Sequence, residues 1–422
     1  MKIEKTKING YDVYIHKTDK YSTIHVRFLF ELPYTKENIC KYDLLEEYQI
    51  HSCAKYKTRK ELNERRMELY TMGYGLSNYN IGEKMFVDAS FSFYDPELVG
   101  EDYLKSALEL ARDVLLYPNF ENGKLDREEL ERCRTVLATD FEDNLLSFKG
   151  RTRAKFLKTF FPNTYKTVDI IDSIEEYNSI MRGFSDADLI AAHEELFQHN
   201  LVGVVIMGNI KEEYLDYIGE MFAFKNTKEL DDDYKEMIEL DTKEHKFEHF
   251  VDEDYVESMV EAVYPYEATT EKERLIHYCI MRMIGGSGML VHKVLRDEQG
   301  IVYSAGASYN KKLNYLILTA YIDAKNVEIA LEGFEMVFAR LKEGDTIEKL
   351  LAKIKEEVDL AEYIFDESKW NVFYELYDTA FNFELPEKER NDIIRSITVD
   401  DIVSHLDKLN ERAVFFYEGG KK

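Results

Sequence analysis

Apolar and polar positions fall into the same order twice along the chain. Phe30–Asn38 is an apolar stretch of strand character that runs into a helix-like segment, and Val263–Glu273 repeats it in the second half. Phe86–Leu115 reads as a strand, an Asp-marked turn and an amphipathic helix, and so does Tyr315–Leu341. Each series closes alike, Phe184–Asn209 in the first and Ile397–Gly419 in the second: Ser185 and Thr398 stand as helix N-caps, and VGVVIMG and AVFFYEG read as buried closing strands. The pattern predicts an α+β chain built by internal duplication, with two homologous domains of about 200 residues each. The expected boundaries are 1–225 and 251–422, with the acid-rich run at 226–250 as the linker.

Composition narrows the partners. The 422 residues are 45% hydrophobic, enough for more than one core, and the net charge of −27 leaves no dominant basic surface for nucleic acid or an anionic membrane. The N-terminal MKIEKTKINGYDVYIHK lacks the apolar core of a secretory signal, and no stretch of 18 apolar residues occurs, so a cytoplasmic protein is expected. Cys40, Cys53, Cys133 and Cys279 form no C-x-x-C pair and are expected to be reduced thiols.

Three short stretches carry candidate chemistry. HKFEH, His245–His249, spells H-x-x-E-H, in which His245 and His249 would bind metal and Glu248 would activate water. That chemistry needs a helix, because i, i+4 spacing puts both imidazoles on one face. The following FVDEDYVESM is acidic and poorly helical, so a chance match is expected, with Glu328 as a distant third ligand otherwise. The segment Gly285–Gly288 lacks the Lys-Ser/Thr of a phosphate loop. HEELF, His193–Phe197, puts a phenylalanine where a second metal-binding histidine belongs.

The duplicated units, the segment MIGGSGMLVHKVLRDEQGIVYSAGASY and the closing VVIMGN strand resemble the insulinase/pitrilysin family of zinc metallopeptidases, in its half-length, mitochondrial processing peptidase-like group. The resemblance spans nearly the whole chain and implies two α/β-sandwich domains in a clamshell. Its most specific part is LRDEQGIVYS, and it implies that Arg296 and Tyr303 hold substrate backbone from the domain without zinc. The plain alternative is an Arg paired with Asp297 or Glu298 and a Tyr buried by a sheet. The zinc motif of the family falls on DLLEE: Asp43 and Glu47 stand where the histidines would be and Glu46 where the catalytic glutamate would be. The further ligand falls near Ala138, with Asp140 and Glu142 close by. Carboxylates alone are poor zinc ligands, so these are degenerate positions.

The resemblance thus implies a non-catalytic subunit, with no catalytic residue and no metal or other cofactor on this chain. Peptide is the expected substrate, and a zinc-bearing insulinase-like subunit in a heterodimer, or self-association, the expected assembly. Two alternatives stand beside it: an active zinc peptidase using His245, Glu248 and His249, and a peptide-binding scaffold without hydrolysis.

Overall fold

The computed structural model describes residues 1–422 apart from 162–170, 225–227, 231–244, 286–288, 410–411 and 422. Most of the expected linker 226–250 and of the Gly-rich segment Gly285–Gly288 therefore lies outside the described residues. The chain forms two compact units. One comprises Met1–Ser147, Asp169–Lys235 and Ser368–Glu384; the other comprises Phe148–Val168, Glu236–Glu367 and Leu385–Lys422.

The first unit holds β1 (Glu4–Ile8), β2 (Tyr11–Lys17), β3 (Thr23–Pro33), β4 (Gly73–Ile81), β5 (Lys84–Tyr94) and β8 (Leu201–Gly208) in one sheet, ordered β1-β2-β8-β3-β5-β4. A small hairpin, β6 (Phe120–Glu121) with β7 (Lys124–Leu125), stands apart. The second unit holds β9 (Phe247–Asp252), β10 (Ser258–Pro265), β11 (Val302–Asn310), β12 (Tyr315–Ile322) and β13 (Ala413–Gly419), ordered β9-β13-β10-β12-β11. This repeats β2-β8-β3-β5-β4 strand for strand. In both, the pair β2·β8 or β9·β13 is parallel and the other neighbours are antiparallel. The duplication read from the sequence is thus a duplication of topology.

The turns between elements match as well. After β3 the chain enters helix α1 (Lys36–Gln49), where Thr35 caps by accepting from the Asn38 amide at 3.1 Å. After β10 it enters the helix Glu271–Ile284 through a capping box of Thr270 and Glu273. Ser185 and Thr398 cap the helices that precede β8 and β13, as their sequences predict. Among the described residues, no helix is long and apolar enough to cross a membrane.

Both sheets are covered twice. On β3, Ile24, Val26, Phe28, Phe30 and Leu32 alternate onto the face packed by the helices of the first unit. The opposite face carries His25 and Arg27, and the helix Lys369–Ala380 covers them: the Arg27 guanidinium lies 4.9 Å from the Phe373 ring and 5.1 Å from that of Tyr377. In the second unit, Val260, Ala262 and Tyr264 of β10 face the helical layer. Met259 and Val263 face Phe156 and Phe160 of the helix Phe148–Phe160. Each unit therefore takes a covering helix from the other half of the sequence, which is why neither is continuous along the chain.

Phe160 is fully buried in that second-face cluster. Phe160→Ala is expected to cost about 3–5 kcal/mol, the scale for removing a core aromatic. Urea unfolding of the variant would check it; a loss below about 1 kcal/mol would mean the helix is not a structural cover.

Candidate functional site

The sequence-predicted residues divide between the two units. Asp43, Glu46 and Glu47 lie on α1 in the first, and Arg296 and Tyr303 flank one turn in the second.

On α1 the three carboxylates do not converge. Asp43 accepts a hydrogen bond from the Asn78 side chain of β4 at 2.7 Å, and burial raises its pKa. Glu46, half-buried, is pushed up to about 8 by burial first and then by the negative charges of Asp43 and Glu47. It therefore stands largely as the neutral acid at pH 7. Glu47 turns the other way, toward two guanidinium groups and an imidazole. Arg132, on the helix Arg127–Leu146, reaches it at 3.0 Å, His51 at 3.2 Å and Arg59 at 3.7 Å. Arg132 also bonds Glu129 at 2.9 Å, which in turn holds Arg59 at 3.3 Å. Arg132 has its pKa raised, chiefly by Glu129.

This donor set does not fit zinc. Its one imidazole, that of His51, lies beyond α1 and is bonded to Glu47, one of its carboxyls is protonated near neutrality, and Glu47 is neutralised by a guanidinium that would repel a divalent ion. The further-ligand position is Ala138, packed against the core, while Asp140 and Glu142 are exposed. Among the described residues, no group of three His, Cys, Asp or Glu side chains is arranged to hold a metal. Twelve residues past its own N-cap, as Glu47 is in α1, the second unit's Glu271–Ile284 helix carries Arg282, paired with Glu357. Both units thus close this helix crossing with an ion pair, of opposite polarity.

HKFEH does not form a helix. Phe247–Asp252 is β9, so the motif overlaps the first strand of the second unit rather than preceding it. His249 lies on β9 and His245 before it, so the helical i, i+4 arrangement that would aim both rings at one metal is absent. His245 bonds Glu248 at 2.9 Å and His249 bonds Glu418 at 2.7 Å. The reading of His245, Glu248 and His249 as a zinc peptidase site is overturned by this geometry.

Arg296 lies in a π-helical turn, Lys293–Glu298, and Tyr303 at the start of β11. Gly300 between them adopts φ +66°, a conformation that favours glycine, and its amide closes the turn on the Arg296 carbonyl at 3.1 Å. The alternative pairing for Arg296 does not occur: Glu298 bonds Arg340 and Asp297 lies 3.9 Å from His292. Arg296 is exposed, beside His292 at 3.5 Å, and makes no ion pair among the described residues. Nor is Tyr303 buried, being 62% exposed. The β11–β12 register shifts between Val302 and Ser304, so Tyr303 is the bulged residue, turned out of the ladder. Its hydroxyl donates to Asp323 at 2.6 Å, which raises the phenol pKa. Sequence reasoning missed Asp323, Arg132 and the bulge.

Fold and site together define a duplicated α+β protein in which α1, at the position of the metal motif, carries carboxylates and no imidazole. Residues 183–358 match the family model described as Peptidase M16 inactive domain. The "Probable inactive metalloprotease YmfF" of Bacillus subtilis (strain 168) is 19% identical over 427 residues, covering 98% of this chain and 97% of that protein. Among solved structures, a conserved protein from Enterococcus faecalis V583 superposes with a TM-score of 0.82 at 17% identity, over 99% of this chain and 98% of that one. A peptidase M16 inactive domain from Pseudomonas fluorescens gives 0.74 at 13% identity, over 99% and 98%. The chain thus has the fold of these M16-like structures over nearly its whole length, and its middle part is similar to the M16 inactive domain.

Glu46 supplies a test of the site's electrostatics. Its folded pKa, about 8, lies above the ordinary 4.5, so the fold favours the protonated form. The stability this contributes is full at acid pH, falls as pH rises between those values and is gone above the folded pKa. Glu46→Gln, which stays neutral, is expected to gain stability relative to the parent from about pH 5 up to about pH 8 and then to hold a constant lead. Urea midpoints across that range check this; a pH-independent difference would contradict it.

Proposed function

We propose that this chain is the non-catalytic subunit of a heteromeric insulinase-like zinc peptidase, binding peptide substrate and completing a partner's active site through Arg296 and Tyr303. One observation carries the reading: the metal-motif helix has become an ion-paired, imidazole-free element, while the Arg296–Gly300–Tyr303 turn still presents a guanidinium with no ion pair among the described residues and an outward phenol. The names of its relatives, a probable inactive metalloprotease and an M16 inactive domain, support a silent role.

Both side chains suit a peptide backbone. A guanidinium offers several donors in a fixed fork, and a phenol offers one. Their hydrogen bonds strengthen as charge builds on a carbonyl oxygen under attack, so they favour the transition state over bound substrate. Tyr303 must first exchange Asp323 for the substrate carbonyl, since its single proton is already donated.

The test is reconstitution with a zinc-bearing M16 partner from the same host. The lone chain is expected to be inactive and the mixture active, with Arg296→Ala or Tyr303→Phe lowering kcat/KM roughly 100-fold, mainly in kcat. His249→Ala is expected to change nothing. Full activity in both the Arg296 and Tyr303 variants would refute these roles. Tight peptide binding with no partner-dependent hydrolysis would favour a peptide-binding scaffold instead.

A further inference from the structure

The helix Asp186–His199 carries His193 and Phe197 on one face, the spacing that in the sequence resembles half of a metal motif. In the structure both line a solvent-open cavity of about 520 Å³ within the first unit, together with Leu116, Tyr117, Phe120 and Phe224. The His193 ring meets Phe120 edge-on at 5.6 Å and Phe197 at 4.9 Å, and Phe197 stacks on Phe224 at 6.3 Å. The cavity has the size and the mostly apolar wall of a small-molecule site.

His193 is a buried polar residue of its wall, only 6% exposed. The ring's Nε2 lies 2.9 Å from the Leu115 carbonyl oxygen, which can only accept, so Nε2 carries the proton and donates. Nδ1 is then a bare lone pair with no hydrogen-bond partner among the described residues, on a ring that lines the cavity. The Gln49 amide cannot use it, because Gln49 stands on the Nε2 side and donates to the Val114 and Leu115 carbonyls. Burial pushes the His193 pKa down to about 4, so near neutral pH the ring offers an acceptor rather than a cation.

A lone acceptor on an aromatic floor selects its ligand. An anion would meet a lone pair and the rim carboxylate of Glu194, and a cation would lose its hydration against apolar walls. A flat ring packs against Phe120, Phe197 and Phe224 by offset and edge-on contacts. We propose that this cavity binds a neutral, planar aromatic molecule bearing one N–H or O–H donor, whose hydrogen goes to Nδ1 of His193. The proposal is independent of the role given to Arg296 and Tyr303.

Indole and 1-methylindole are the probes, titrated into the full chain by calorimetry and followed by NMR. Indole is expected to bind saturably, and 1-methylindole, equal in shape but without the N–H, roughly tenfold more weakly. Ala223 is exposed at the cavity wall, and Ala223→Trp is expected to abolish binding of both while leaving the melting curve in place. Equal affinity for the two probes, binding that survives Ala223→Trp, or no saturable binding of indole up to its solubility would each overturn the proposal. The comparison of the two probes needs only the unmodified protein, so it decides the matter even if the variant folds poorly.

Discussion

A central strand buried on both faces needs two covers, and that constraint organises this molecule. β3 and β10 each send one set of side chains to their unit's helical layer and the other set to a single helix from the opposite half of the sequence. Without the second helix, β10 would expose Met259 and Val263, and β3 would expose Arg27 with only Asp88, at 3.4 Å, as its counter-ion. The exchange fixes both sheets, and with them α1 and the β11 bulge that carry the site residues.

The same economy of charge explains the site. Buried and half-buried charges persist only with partners, and removing one partner leaves the other exposed to the full desolvation cost. At the metal-motif helix that partner is Arg132 and not a metal ion. The second unit arrives at the same solution with the signs reversed, in Arg282 and Glu357. An ion pair at this crossing thus joins helices in both repeats, and in the first it also occupies Glu47, the carboxylate at a ligand position of the motif. Glu46, left with no cation, keeps its proton instead.

The repeat, the strand–helix order, the helix caps and the closing strands were legible in the sequence because each rests on local periodicity or on a cap three residues from its partner. Helix exchange was not, since Phe148–Phe160 and Lys369–Ala380 are ordinary amphipathic helices whose destination is a tertiary choice. HKFEH was expected to be a chance match, and its last three residues lie on β9, where parallel pairing to β13 decides the backbone. Arg132 and Glu47 are 85 residues apart, so no spacing rule links them. The Tyr303 bulge leaves no composition signal, although Gly300 marks the turn before it. Likewise His193 reads as part of a failed motif until Phe120 and Phe224 are seen beside it.

The metal-motif helix is closed by charge pairing, and its donor set does not fit zinc. Calorimetric titration of Zn²⁺ into chelator-treated protein at neutral pH tests it most directly. The expected result is no saturable site; one-to-one binding that Glu47→Gln weakens would contradict the account.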